Sequence, residues 1–191
     1  MILLLTALAS SAPVGWEKGK SAHDCTVYVG PEGAAGIAPL SVECVWPEAD
    51  FVELDDILGR PGDHDDVFTL IVSSTVVSEA DGVLYVKQVH NSPPLDKREL
   101  VQQMGRTEEG GAVIHWWKKA ATQPAVASGH VNPDKNAGRW ILKENPAGGV
   151  FLTYELDYEP GGSVPAFVIR AFQGGGVLDF LGDLRAYVAA N

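Results

Sequence analysis

The chain ends in a strand and a helix that each need a buried partner. Residues 150–158 read Val-Phe-Leu-Thr-Tyr-Glu-Leu-Asp-Tyr. Side chains alternate across a strand, so Val150, Leu152, Tyr154, Leu156 and Tyr158 share one face that must be covered. After the turn Pro160-Gly161-Gly162 comes an apolar stretch that reads as one helix over residues 163–188. Ser163 is the expected N-cap, and Pro165 falls in the first turn, where a missing N–H costs nothing. At about 1.5 Å per residue this helix is roughly 39 Å long, enough to cross a small domain. Phe167, Ala171, Gly174, Leu178, Leu181 and Val188 form one stripe, and Val164, Val168, Val177, Phe180 and Leu184 widen it, so the helix is expected to be deeply buried. Gly174-Gly175-Gly176 interrupts it, although each glycine costs about 1 kcal/mol relative to alanine in a helix interior. The triplet either permits close packing or a break between two shorter helices, or leaves room for a ligand and lets the helix flex.

The 191 residues suffice for one domain, taken as residues 13–191, and a hydrophobic content of 46% suffices for a core. A net charge of -11 with 14 scattered Lys and Arg argues against nucleic acid, and against docking on anionic membranes by charge alone. Residues 1–12 carry an apolar run from Ile2 to Ala9 followed by Ser10-Ser11-Ala12, which resembles a cleavable secretory signal. The expectation is export to a periplasm or the cell exterior; the alternatives are a mis-set start codon or a buried N-terminal segment. Beyond this run, nothing reaches the ~18 apolar residues of a membrane span.

Residues 25–29 and 37–45 read as strands around a glycine-rich connection. In an antiparallel hairpin the paired residue numbers have a constant sum, and pairing Gly30 with Pro39 also pairs Cys25 with Cys44. A disulfide fits that register, whereas a neighbouring register leaves two separate buried thiols. A disulfide requires an oxidising compartment, in agreement with export. Neither cysteine has metal-ligand spacing and the five His form no metal motif, so no metal site and no cofactor is expected.

Residues 47–58 carry Phe51, Leu54 and Leu58 at helical spacing, stopped by Gly59, Pro61 and Gly62. The acidic run Asp63-His64-Asp65-Asp66 reads as a solvated loop, with a weak cation site as the alternative. Strands are expected over residues 67–77, 83–89, 98–104, 112–118, 127–131 and 138–144, and their short connections make most neighbours antiparallel.

This order resembles the START-like, or SRPBCC, superfamily of lipid-transfer and ligand-binding domains. The most specific pieces are Pro94-Leu95-Asp96-Lys97-Arg98-Glu99-Leu100-Val101, similar to the family's proline-led loop and Arg-Asp strand start, and Tyr158-Glu159-Pro160-Gly161-Gly162-Ser163-Val164-Pro165, similar to its approach to the last helix. Residues 177–187 resemble its helix end. Glu99 stands where Asp is usual, and the glycine triplet stands where bulky or charged residues are common. The resemblance implies an α+β helix-grip fold, a curved antiparallel sheet wrapped around the long C-terminal helix with an apolar cavity between them. It also implies a hydrophobic small molecule or lipid as partner; transient membrane contact and, of the oligomeric states, a monomer are the further expectations.

The expected ligand-binding residues are Tyr85, Arg98, Trp117, Tyr154, Phe167, Ala171, Gly174 and Leu178, with Trp140 and His115 also on candidate strands. Arg98 serves either as an anchor to carbonyls or a carboxylate, or as a ligand contact; buried charge is costly, which favours the anchor. His115 is expected to face water. Trp116 and Trp117 point to opposite faces, so at most one lines a cavity. The sequence carries no nucleophile elbow, redox cysteine pair or phosphate-cradling loop. No catalytic residue is assigned. Binding is the first reading, and a cyclase or hydrolase of the same fold acting on an apolar substrate is the second.

Overall fold

A computed structural model describes residues 14–33 and 35–191; the expected leader, residues 1–12, lies outside them. In chain order the elements are β1 (Glu17–Ala22), β2 (Cys25–Val29), β3 (Leu40–Trp46), α1 (Phe51–Gly59), a 3-10 turn (Pro61–Asp63), α2 (His64–Val67), β4 (Ile71–Ala80), β5 (Val83–His90) and β6 (Lys97–Glu109). Then follow β7 (Ala112–Lys119), β8 (His130–Val131), β9 (Lys135–Glu144), β10 (Val150–Glu159), α3 (Ala166–Ala171), a π-helical turn (Phe172–Gly176) and α4 (Val177–Ala190). The strands form one sheet in the order β1-β2-β3-β10-β9-β7-β6-β5-β4. Neighbours are antiparallel, and β8 adds to β6 in parallel at Lys97 and Arg98. This is the helix-grip arrangement, a curved antiparallel sheet with a C-terminal helix across it.

β10 joins the two ends of the chain. Tyr154 stands opposite Val42 of β3 on one side and Trp140 of β9 on the other. Val150, Leu152, Tyr154 and Leu156 are buried on its inner face. The outer face carries Glu155 and Asp157, ion-paired to Arg139 at 2.6 Å and Lys135 at 2.5 Å. Alternation therefore sorts apolar from charged side chains as period two requires.

The hairpin register is the one of constant sum: Cys25 pairs with Cys44 and Val27 with Val42, and Gly30 N–H donates to Pro39 O at 2.9 Å. Cys25 and Cys44 form a disulfide. β1 was not legible in the sequence, because Glu-Lys-Gly-Lys-Ser-Ala has no apolar alternation and every residue is exposed.

Several boundaries differ from the sequence reading. α1 begins at Phe51 rather than Pro47, because the Asp50 carboxylate caps it by accepting from Glu53 N–H at 2.9 Å. The acidic run is not a loop: its last three residues begin α2, and His64 is buried. Ser163 is exposed and caps nothing; Pro165 occupies the N-cap position without a side-chain bond. Gly161 and Gly162, at φ +66° and +65°, make the left-handed turn that precedes the helix, which other residues rarely adopt. The glycine triplet neither breaks the helix nor continues it as α. It lies in the π-helical turn, whose wider i→i+5 spacing inserts an extra residue and rotates everything beyond it.

Two stability outcomes follow. Replacing Cys25 and Cys44 by Ala opens a crosslink spanning 19 residues and is expected to cost about 3 kcal/mol, read as a lower urea midpoint. An unchanged midpoint would show that the bridge adds nothing. Gly175→Ala is expected to raise stability by up to about 1 kcal/mol in the same assay, since the added methyl meets only the Lys20 Nζ at 3.9 Å.

Candidate functional site

Between sheet and helix lies a cavity of about 170 Å³. Its floor is Trp117 of β7, Trp140 of β9, and Tyr154, Leu156 and Tyr158 of β10; its roof is Val164, Val168, Ile169, Phe172 and Phe180. The aromatic rings support one another, with centroids 4.4 Å apart for Trp140 and Tyr154, 5.6 Å for Trp117 and Tyr154, and 4.3 Å for Phe68 and Phe180. Such contacts fix ring orientation as well as burying area. Trp117 lies over Gly138, where a Cβ would run into both its ring and the Glu155 carbonyl, and its Nε1–H donates to Asn136 Oδ1 at 2.9 Å. Trp116 points to the other face, against Gly105.

Arg98 reaches the cavity wall while only 4% exposed. Its guanidinium donates to Pro160 O at 3.1 Å, Gly161 O at 3.2 Å and Asp96 O at 2.5 Å. The positive charge is thus held by three carbonyls and fastens the turn before the helix to β6. Glu99, the next residue, faces the opposite side. There it accepts from Lys87 at 2.7 Å, Ala127 N–H at 3.0 Å and His130 Nδ1 at 2.6 Å, beneath the 120–132 connection. Lys87 foremost, then the Ala127 N–H, hold its carboxyl down to about 2.

A polar group lies at the end of the cavity near α2. His64, Gln88, His90 and Gln102 all line it. Gln88 and Gln102 are 2% and 1% exposed, and they bond to each other, Gln102 Nε2 to Gln88 Oε1, at 2.6 Å. His64 Nε2 and Gln102 Oε1 are buried with no hydrogen-bond partner among the described residues. A buried polar atom left this way costs about 1–3 kcal/mol. Burial pushes both histidines down to about 4, so they are neutral near pH 7. Tyr158 is pushed up to about 12 by burial.

Of the residues expected from sequence, Arg98, Trp117 and Tyr154 come together on the cavity wall, as does Trp140. Five do not line it. Tyr85 has the opposite strand parity from Gln88 and His90 and instead accepts from Gln103 Nε2 at 2.8 Å on the outer face. Phe167 is 63% exposed and Ala171 is exposed. A Cβ at Gly174 would meet nothing within 4 Å, and Leu178 is buried in the core rather than at the cavity. The side chains that roof the cavity at Val164, Val168 and Phe180 belong to the second set read from the helix; a stripe of uniform α spacing through Phe167 and Ala171 picks the wrong face.

His115 does not face water. It is buried beneath α1, with Nε2 2.7 Å from Asp55, which also accepts from Arg106 at 2.9 and 2.8 Å. Burial outweighs the Asp55 carboxylate and lowers the His115 pKa. Sequence reasoning missed His64, Gln88, His90 and Gln102. The available signal was parity: Arg98, Leu100 and Gln102 share a strand face, as do Val86, Gln88 and His90.

No family model matches the sequence. An uncharacterized protein of Pseudomonas aeruginosa is 32% identical over 76 residues, which cover 40% of this chain and 38% of that protein. A StAR-related lipid transfer protein from Xanthomonas axonopodis superposes with TM-score 0.80 at 20% identity, covering 92% of this chain and 99% of that one. Human StAR-related lipid transfer protein 5 gives 0.83 at 14% identity over 94% and 88% of the two chains. The Zhui aromatase/cyclase from a Streptomyces species gives 0.55 at 13% identity over 80% and 93%. The chain has the START-like, helix-grip fold.

The two cavity histidines, His64 and His90, set an acid limit. Their folded pKa of about 4 lies below the ordinary 6.5, so the unfolded chain binds more protons between these values. Their contribution is therefore complete above pH 6.5 and is lost as pH falls toward 4, about 2 kcal/mol per histidine near pH 5. Urea midpoints measured from pH 7 to 5 should fall accordingly, and His64→Phe should make the slope shallower. A flat profile over that range would refute the burial of these rings.

Proposed function

We propose that this protein binds a hydrophobic small molecule or lipid in the cavity between the sheet and the C-terminal helix, and that it does so after export. The cavity with its aromatic floor and its roof of aliphatic and Phe side chains carries the reading. The START-like fold supports it, and the disulfide together with the signal-like segment supports export. The eight residues expected to bind ligand then divide into two groups. Arg98, Trp117 and Tyr154 contact it, while Phe167, Ala171, Gly174 and Leu178 of the helix and Tyr85 lie off the cavity wall.

Size bounds the ligand. A cavity of about 150 Å³ lined by apolar groups accepts benzene, whereas pockets for drug-sized molecules span about 300–1,000 Å³. At about 170 Å³ the cavity matches one ring or a short chain. A longer lipid requires the roof to lift. α3 is suited to that, because none of its residues is fully buried and it joins α4 through the glycine-bearing π turn. The exposed Phe167 on α3 is a candidate for transient membrane contact during loading.

A second reading, a cyclase- or hydrolase-type enzyme acting on an apolar substrate, draws on one observation: His64, His90 and Arg98 all reach the cavity wall. It requires chemical change in a bound molecule that is lost in a His64→Phe, His90→Phe protein while binding persists.

Native mass spectrometry and organic extraction of the purified protein should reveal a copurifying apolar compound. Val168→Trp, which fills the roof, should weaken binding at least tenfold without loss of folding, an effect of about 1.4 kcal/mol or more. Should nothing copurify, and fatty acids, phospholipids and polyaromatics show no saturable binding, the proposal fails.

A further inference from the structure

We infer that the ligand of this cavity is an apolar alcohol or phenol whose neutral hydroxyl group donates to an acceptor pole formed by His64 and Gln102. This rests on the reading of the cavity as a binding site, and it adds the chemistry that the site selects.

The polarity of this end originates at one carbonyl. Pro61 O can only accept, and it takes the backbone N–H of His64 together with the Ser74 hydroxyl at 2.5 Å. With its proton committed, Ser74 Oγ must accept, and it does so from Gln88 Nε2 at 3.0 Å. That turns Gln88 Oε1 toward Gln102 Nε2 at 2.6 Å and His90 Nε2 at 2.9 Å, both of which must donate to it. Every amide and imidazole orientation in the chain is thereby set by the Pro61 carbonyl. Gln102 Oε1 is left as the terminal acceptor, and it is without a partner among the described residues.

His64 arrives at the same state from the other side of Pro61. Its Nε2 too is buried and without a partner among the described residues, and it offers a lone pair when the ring carries its proton on Nδ1. His90 spends its Nε2–H on Gln88, which leaves its lone pair on Nδ1. All three residues line the cavity. The pole therefore offers acceptors, and a complementary ligand has to bring a donor.

The rest of the lining narrows the donor to a neutral one. The described lining residues include no Asp or Glu and do include the Arg98 guanidinium, so a buried ammonium would have no counter-charge. A carboxylate, ether or ketone would set lone pairs against lone pairs. An anionic head would instead be drawn to Arg98, which lies four residues from Gln102 on the same face of β6, about 13 Å away at ~3.3 Å per residue. A hydroxyl at the His64 and Gln102 end leaves the apolar body against Trp140, Tyr154 and Phe180.

Calorimetric titration of the purified protein at pH 7 with 4-propylphenol, propylbenzene, 4-propylanisole and 4-propylbenzoate separates these possibilities. The phenol should bind about tenfold or more tightly than the hydrocarbon and the anisole, the amount expected when a buried acceptor gains its hydrogen bond. Gln102→Leu and His64→Phe should bring the phenol and propylbenzene to similar affinities. Equal binding of the phenol and propylbenzene by the unsubstituted protein, or preference for the benzoate, overturns the hydroxyl assignment while leaving the cavity as a binding site. Binding of none of the four overturns both. The comparison among ligands needs no substituted protein, so it holds even if a variant does not fold.

Discussion

The sheet presents a continuous inner face of apolar side chains, and the structure is organised around covering it. Leu152, Tyr154, Trp140, Leu142 and Val42 come from three adjacent strands and would lie in water without a roof. Burying side chains of this size is worth about 1.5–3 kcal/mol each, an upper range because unfolded chains are partly compact. α4 covers part of the face with Val177, Leu181 and Leu184, which are fully buried. α3 and the π turn cover the remainder incompletely, and the cavity is what their poorer fit leaves.

Two polar devices keep that gap from collapsing. Arg98 ties β6 to the Pro160-Gly161 turn, and so fixes where the helix begins. At the other end, the chain of bonds from Pro61 through Ser74 and Gln88 to Gln102 ties the 3-10 turn before α2 to three strands. Both consist of buried polar groups bonded to one another or to backbone, which holds positions more sharply than apolar contact does. The aromatic floor between them is consequently anchored at both ends.

Much of the fold was legible because it rests on local periodicity. The alternation of β10, the constant-sum register that joins Cys25 to Cys44 and the apolar last helix all follow from side-chain direction along a strand or helix. What escaped was set by contacts distant in sequence. β1 has no apolar pattern and exists through its pairing with β2. His115 looked solvent-facing until α1 was folded over it and brought Asp55 to its ring. The helix residues Phe167, Ala171 and Gly174 were placed inward by uniform α spacing, which the π turn does not keep.

The sequence by itself determined a strand and a helix that must cover each other, a hairpin register compatible with a disulfide, and an overall order of elements that resembles the START-like domains. Those properties reside in neighbouring residues. The tertiary structure decided which face of the last helix looks inward, which parity of β5 and β6 lines the cavity, and where His64 points. It also decided that the polar end of the cavity offers acceptors, because that polarity descends from a single carbonyl at Pro61 through side chains from β4, β5 and β6. A direction of hydrogen bonding passed between strands is invisible to local pattern, since only the closed sheet brings its members within reach.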